Sequence, residues 1–163
     1  LSSKSINIHT SDTSKTIHDK LSNLTAEMLV KTIKEYIDGK VIPLKQKEDG
    51  VKYAEKIFKN EAIINWNLPS INIFNKVRAF DPFPSTYTFL SGVKIKIVET
   101  KLCKDSHQCR PGTIIECNNK IIVGCGNKST LEIKYLQKSG KNIMSAKDFL
   151  NGTKISIGEK FGS

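Results

Sequence analysis

The first quarter of the chain carries apolar side chains at three- and four-residue spacing, which is the pattern of an amphipathic helix. The pattern spans residues 12–38. Its apolar positions are Ile17, Leu21, Leu24, Met28, Leu29, Ile33 and Ile37. Side-chain oxygens at positions 12–14 provide an N-cap, and Gly39 follows as a stop signal. The pattern predicts one long helix, or two shorter helices in line, whose apolar stripe needs a partner surface.

The next two segments differ sharply in their periodicity. Residues 40–60 are polar, lysine-rich and only weakly periodic, which is typical of a linker. A second helical period runs from 68 to 80, with Asn67 as the predicted N-cap and Pro69 in the first turn. Its apolar face is predicted to consist of Ile71, Phe74 and Val77. The two prolines of residues 81–84 cannot continue a helix, so we expect the helix to end before them.

The rest of the chain has the two-residue hydrophobic period of β-strands. A hairpin is predicted from strands at 86–90 and 93–98, joined by a Ser-Gly turn at 91–92. The alternation places Lys94 and Lys96 together on one face of the second strand. The remaining predicted elements are strands at 113–116, 120–124, 130–136 and 154–157 and a short helix at 145–150. Short strands separated by turn residues predict an α+β fold built on a small antiparallel barrel or sandwich.

Charge adds a class of partner to this picture. The 163 residues include 26 Lys and Arg against 16 Asp and Glu, a formal net charge of +10. Such an excess attracts polyanions, with nucleic acid as the first candidate and an anionic membrane surface as the second. The alternative is a solvated, lysine-rich surface from a compositionally biased genome, since only two of the basic residues are arginine. No apolar run is long enough to span a bilayer, so we expect a soluble, cytoplasmic protein.

Four cysteines lie in the last third of the chain, at Cys103, Cys109, Cys117 and Cys125. Structural zinc sites use pairs two to four residues apart, whereas five residues separate Cys103 from Cys109, so no metal site is predicted. A disulfide across the same loop remains an alternative, although a reducing compartment disfavours it. Cys117 and Cys125 flank apolar residues and are predicted to be small buried hydrophobic side chains.

No residue of the chain is predicted to be catalytic. The Asn-x-His triplet at 7–9 resembles a polarising pair, but residues beside a frayed terminus lack the surrounding shell that orients such groups. His18 and His107 have no nearby nucleophile in the pattern. The Gly-Cys-Gly run at 124–126 fits a hairpin turn better than a phosphate-binding loop. The chain begins with Leu rather than Met, so we expect it to be part of a longer protein.

Several segments nevertheless resemble the carboxyl-terminal half of the methionyl-tRNA formyltransferase family. They are DTSKTIHDKL at 12–21, YAEKI at 53–57, INW at 64–66, VRAFDPFP at 77–84 and MSAKDFLNG at 144–152. The resemblance implies a small antiparallel OB-like β-barrel with flanking helices, preceded by a remnant of an α/β Rossmann-like formyltransferase domain. It implies the last strand and helix of the catalytic domain at 1–38, a basic linker at 39–60 and the barrel domain at 61–163.

The resemblance also implies a reaction, a partner and a cofactor. Members of the family transfer a formyl group from 10-formyltetrahydrofolate to the amino group of initiator methionyl-tRNA. The family's catalytic Asn, His and Asp lie upstream of the segments that match, so the chain is expected to bind no cofactor itself and to be inactive alone. We expect a monomer that does not bind membranes. The alternatives are the barrel of a formyltransferase acting on an amino sugar nucleotide, and a non-enzymatic OB-like nucleic-acid module.

A set of basic residues is predicted to contact tRNA phosphates. The set is Lys45, Lys47, Lys52, Lys56, Lys59, Lys76, Arg78 and Lys141. For Arg78 a structural pairing at the helix end is an equal alternative. Five aromatic residues are predicted to be core or junction anchors rather than stacking platforms: Tyr53, Trp66, Phe80, Phe83 and Phe89.

Overall fold

A computed structural model describes residues 1–162 of the chain. Its contacts divide the chain into two compact units, Leu1–Lys56 and a second unit that starts at Ile57. None of the helices in the described residues is both long enough and apolar enough to cross a bilayer.

The first unit contains one continuous helix, α1, at Ser14–Ile37. Its N-cap is Thr13, whose hydroxyl accepts a hydrogen bond from the backbone N–H of Thr16, while the Thr16 hydroxyl accepts one from the Thr13 N–H. Gly39 has a positive φ of 71°, which suits the residue that ends a helix. The sequence therefore located this helix correctly, and the structure selects one helix over two.

Residues 1–9 form no strand, and the expectation that residues 1–38 include the terminal strand of the catalytic domain stays a prediction. A strand needs a neighbour for its backbone hydrogen bonds, and no strand partner is present for it among residues 1–162. Residues 40–58 contain no helix or strand either, as predicted for a linker. A single 3₁₀ turn at Lys59–Ala62 follows them.

The first α-helix of the second unit is α2 at Ser70–Ala79, whose N-cap is Pro69 rather than the predicted Asn67. The predicted apolar face is wrong at one position. Ile73 and Val77 are buried, whereas Ile71 is 46% exposed. The reason is the period: positions 73 and 77 are four residues apart and share a helix face, while 71 lies about 200° from 73 around the axis.

Six antiparallel strands follow α2. They are β1 (Tyr87–Leu90), β2 (Val93–Leu102), β3 (Ile114–Glu116), β4 (Ile121–Gly124), β5 (Thr130–Lys138) and β6 (Met144–Ser145). The order in the sheet is β1-β2-β5-β4-β3, and β6 pairs with β5. Helix α3 (Ala146–Gly152) follows directly, and its N-cap is Ser145. The sheet curls into a half-barrel, which confirms the predicted α+β fold class.

The predicted hairpin is confirmed in its strands and in its turn. Ser91 and Gly92 both have positive φ, 49° and 75°, the signature of a type I′ turn that matches the twist of the strands. β2 continues four residues beyond the predicted end, to Leu102. Its pairing with β5 is irregular around Glu99, so the second half of β2 is rotated relative to the first.

The core lies between the inner face of the sheet and helices α2 and α3. Its least exposed side chains are Ile73, Ile95, Ile97, Ile114, Ile121, Val123, Leu131, Ile133, Leu136, Phe149 and Phe161. Trp66 stacks on Phe161 with 5.7 Å between ring centroids, and its indole N–H donates a 3.0 Å hydrogen bond to the Thr88 hydroxyl. Trp66 is therefore a core anchor, as predicted.

Residues 158–162 connect the two outer strands of the sheet. The Phe161 N–H donates to the Gly112 carbonyl just before β3, and the Gly162 N–H donates to the Phe89 carbonyl of β1, both at 2.8 Å. The predicted final strand at 154–157 is wrong, because the β-bridges form later, at Lys160 and Phe161. Local alternation at 154–157 could not show which residues the distant strands would pair with.

Candidate nucleic-acid interface

Charge is distributed unevenly along the chain. Residues 61–163 contain 15 Lys and Arg against 8 Asp and Glu, a net charge of +7. Residues 39–60 have six against three, and residues 1–38 have five against five. Most of the +10 excess therefore belongs to the half-barrel, with a smaller share on the segment before it.

Four of the eight predicted tRNA-binding residues lie in the first unit. They are Lys45, Lys47, Lys52 and Lys56, and all four are exposed. The ammonium group of Lys45 lies 3.2 Å from the Glu48 carboxylate, with both side chains largely in solvent. Ion pairs of this kind contribute little and exchange readily for other partners.

The other four predicted residues lie in the second unit, and the charged groups of two of them, Lys76 and Arg78 of α2, already contact other protein groups. The Lys76 ammonium donates a 2.8 Å hydrogen bond to the Ile63 carbonyl, and its partial burial lowers its pKa. The Arg78 guanidinium lies 4.9 Å from the Phe74 ring centroid and donates to the Asn75 side chain at 2.8 Å. The Arg78 contacts lie within α2 and match the alternative in which this residue makes a structural pairing at the helix end.

Lys59 and Lys141 are exposed. Lys141 lies in the turn between β5 and β6, where its N–H donates to the Lys138 carbonyl at 3.0 Å. Its own carbonyl accepts a 2.7 Å hydrogen bond from the Gln137 amide. These contacts hold the turn next to the end of β5.

The structure brings further lysines to the same place. Lys94 and Lys96 project from the outer side of β2, and Lys96 pairs directly with Gln137 of β5. Their side chains, together with those of the β5–β6 turn, line a cleft of about 250 Å³. Its lining residues are Lys94, Lys96, Gln137, Lys138, Ser139 and Gly140.

Two aromatic rings lie beside this cleft on the same side of the sheet. Tyr87 and Phe89 of β1 are half-buried, with 5.8 Å between ring centroids and an angle of 88° between planes. The Lys94 ammonium lies 3.7 Å from the centroid of the Tyr87 ring. We call the side chains of Tyr87, Phe89, Lys94, Lys96 and Gln137 the outer hairpin face.

The chain segments that build this face contain no acidic residue. Residues 87–98 and 133–147 include six lysines and neither Asp nor Glu. One of the six, Lys134, forms a 3.1 Å ion pair with Glu132, and Glu132 lies just before the second segment. The remaining five produce a region of positive potential that attracts polyanions.

The comparisons place the half-barrel in a known family. The profile described as "Formyl transferase, C-terminal domain" matches residues 56–154. The chain belongs to this family. A methionyl-tRNA formyltransferase from Bacillus licheniformis is 36% identical over 158 residues, which are 96% of this chain and 50% of that protein. One from Rickettsia bellii is 39% identical over 141 residues, which are 86% of this chain and 45% of that protein.

The chain thus spans about half the length of the relatives it matches. Among solved structures, a variant of HypX from Aquifex aeolicus has a TM-score of 0.65 at 14% identity, over 93% of this chain and 28% of that one. At this identity the likeness concerns the fold alone.

The matched segment contains the whole outer hairpin face and Lys141, but only the last of the four predicted lysines of the first unit. The sequence singled out Lys141 and missed Tyr87 and Lys138. Lys94 and Lys96 were correctly placed on one face, yet the alternation that showed this could not show their pairing with β5. The register of β2 with β5 brings these residues together in one site.

The aromatic predictions were mixed. Trp66 is 5% exposed and belongs to the core, as expected. Tyr53 is 91% exposed and Phe83 is 68% exposed, so neither is a core anchor, and a role at a domain junction stays a prediction. Phe89 lies on the outer hairpin face, half-buried, because strand alternation turns it away from its buried neighbours Thr88 and Leu90.

The four cysteines form no disulfide within the described residues and differ in their environment. No three His, Cys, Asp or Glu side chains within residues 1–162 are grouped so that they could hold a metal ion. Cys125 is buried, as predicted, and its burial raises its pKa to about 12. Desolvation also raises the pKa of Cys103 and of Cys109. These thiols therefore lack the depressed pKa of reactive cysteines.

Proposed function

We propose that this chain is the tRNA-binding part of a methionyl-tRNA formyltransferase. In this proposal the whole protein transfers a formyl group from 10-formyltetrahydrofolate to the amino group of initiator methionyl-tRNA during translation initiation in the cytoplasm. The observation that carries the proposal is the similarity of nearly the whole chain to enzymes of that name, together with a basic, acid-free face on the matched domain.

The chain's contribution is to hold the RNA. Lysine ammonium groups contact phosphate oxygens without reading sequence, and each contact releases counterions. In the proposal these contacts come from the lysines of the cleft and from Lys141 in the adjoining turn. They also come from Lys45, Lys47, Lys52, Lys56 and Lys59. Lys76 and Arg78 act mainly through α2, since their charged groups already contact Ile63, Phe74 and Asn75.

In the proposal, each segment of the chain has a different role. Residues 1–38 are proposed to belong to the catalytic domain, residues 39–60 to be the basic linker and residues 61–163 to be the RNA-binding barrel. The family's catalytic Asn, His and Asp, and the binding of the folate, are assigned to the rest of the enzyme. The chain alone is then a monomer that binds tRNA and has no transferase activity.

The test is binding of the chain to initiator methionyl-tRNA and to an unrelated tRNA over a series of salt concentrations. We expect both to bind at low salt, with little discrimination and with affinity that falls steeply as salt rises. A variant with Lys94→Gln, Lys96→Gln and Lys141→Gln is expected to lose about 2–3 units of slope in log affinity against log salt, because each lost phosphate contact removes about 0.7–0.9.

A matched variant keeps the same net charge but alters a different part of the surface. Lys101→Gln, Lys104→Gln and Lys128→Gln remove three exposed lysines of the second unit that do not line the cleft. Equal losses in both variants would show that only net charge matters. No binding of either tRNA at low salt would refute the proposal and favour the amino sugar nucleotide formyltransferase. Strong binding of any nucleic acid, together with a finding that the natural protein has no formyltransferase domain, would favour the non-enzymatic module.

A further inference from the structure

The outer hairpin face contains a feature that phosphate binding does not use. Tyr87 and Phe89 are two aromatic side chains on the solvent side of the sheet, and lysines flank them on β2. The opposite side of β1 supplies Thr88 and Leu90 to the core, and both are buried. The rings are therefore not part of the packed interior.

One face of the Tyr87 ring is in contact with the Lys94 side chain. An exposed lysine ammonium, 3.7 Å from the centroid, covers it instead of an apolar side chain. Because the Lys94 side chain is exposed to solvent, its ammonium group is held weakly and can move away when a larger planar group arrives. The perpendicular Phe89 ring forms a second wall beside it.

The charge around these rings decides which kind of planar group fits. The two segments that build the face, 87–98 and 133–147, contain no Asp or Glu beside the lysines of the cleft. A neutral or cationic aromatic ligand would therefore gain no electrostatic attraction from these lysines. A nucleotide satisfies both requirements, because its base has a π-face and its phosphate is an anion. Stacking on aromatic residues beside a basic groove is how single-stranded nucleic acids are bound without strong sequence preference.

We propose that the outer hairpin face binds one unpaired nucleotide of an RNA. The base stacks on Tyr87 and meets the edge of Phe89, while Lys94 leaves the ring for the adjacent phosphate and Lys96 contacts the next one. This inference rests on the proposed function for the presence of RNA, and it adds that the face selects unpaired over base-paired nucleotides.

The test compares two RNA probes, a short single-stranded oligonucleotide and a blunt duplex of the same strand with its complement. Tyr87→Leu is expected to weaken binding of the single strand by at least about fivefold, since one lost base stack has that magnitude. Binding of the duplex is expected to change by less than about twofold, because its bases are not available to the ring. Tyr87→Phe keeps the ring and is expected to keep the affinity for both probes.

Tyr53→Leu is the matched control, since Tyr53 is an exposed tyrosine of the first unit, and it is expected to change neither affinity. A measurement on the unaltered chain covers the case in which Tyr87→Leu does not fold. Adding the single strand is expected to shift the NMR ring-proton resonances of Tyr87 and Phe89 through the ring current of the base, and adding the duplex is not.

The outcomes separate this inference from the proposed function. Equal weakening for both probes, or no shift of the two aromatic residues, would overturn base stacking and leave phosphate binding intact. Binding of anionic vesicles but of neither RNA would overturn both. Selective loss of the single strand in Tyr87→Leu, with Tyr87→Phe unchanged, would establish the stacking site.

Discussion

The closest approach of two backbone segments in the half-barrel makes a sharp prediction about Gly126. A Cβ atom at this position would lie 1.9 Å from the Asn67 carbonyl oxygen and 2.6 Å from its carbonyl carbon. The Gly126 N–H meanwhile donates to the carbonyls of Trp66 and Leu68, at 3.0 and 2.9 Å. A methyl group there must push the turn between β4 and β5 away from the start of α2.

The magnitude of Gly126→Ala follows from these contacts. The clash involves backbone atoms, so it is relieved only by separating the two segments by about 1 Å, which breaks the shared hydrogen bond. Losing that bond and leaving a buried carbonyl without a donor costs about 2–4 kcal/mol. For a domain of this size each kcal/mol lowers the midpoint of thermal unfolding by about 4–8 °C. We expect a decrease of roughly 8–32 °C.

Fluorescence is the appropriate assay, because the single tryptophan of the chain, Trp66, lies in the second unit next to the altered turn. Gly152→Ala is the control. Gly152 has ordinary φ, lies in α3 and has open space around its Cβ position, so alanine there should be neutral or stabilise by up to about 1 kcal/mol. A Gly126→Ala variant that unfolds within about 1 kcal/mol of the parent in urea would refute the reasoning.

Three further predictions concern single side chains. Thr88→Val leaves the buried Trp66 indole N–H without its acceptor and should destabilise the half-barrel by about 1–3 kcal/mol in urea titrations with an unchanged m-value, whereas Thr88→Ser should not. The Lys20 ammonium and the His9 N–H lower the pKa of Asp12 from 3.8 to about 2, so its stabilisation of the start of α1 is complete above pH 4 and is lost as the pH falls towards 2. NMR titration of the carboxyl group checks this, and an unchanged midpoint in Lys20→Met would contradict it. Cys125, buried and with a pKa near 12, should resist iodoacetamide in the folded chain and react only after unfolding, as mass spectrometry would show.

Local patterns in the sequence were sufficient for the extents of α1 and the hairpin, but not for the N-cap and the buried face of α2. The 3.6-residue period and the capping side chains located α1, and the Ser-Gly turn at 91–92 set the register of β1 with β2, because both depend on neighbours along the chain. The failure at the final strand was non-local. The final strand was placed at 154–157 although bridges form at 160 and 161, since partners on β1 and near β3 decide the pairing.

The candidate site shows the same division. Alternation placed Lys94 and Lys96 on one side of a strand, but nothing in the sequence showed that Gln137 and Lys138 lie beside them. Tyr87 was missed because an aromatic residue in a strand is usually part of a core, and only the burial of Thr88 and Leu90 shows that its ring faces outward. Site residues that depend on pairing between distant strands require the structure.

The connection made by residues 158–162 has a consequence for self-association. Strands β1 and β3 are the two edge strands of the sheet. An edge strand with unpaired backbone groups is a template to which other chains add by backbone hydrogen bonding. Phe161 and Gly162 cover that backbone on β1, and Glu159 covers Ile114 on β3. The same few residues therefore protect both edges at once, so removing this segment should expose both edge strands and promote aggregation through them.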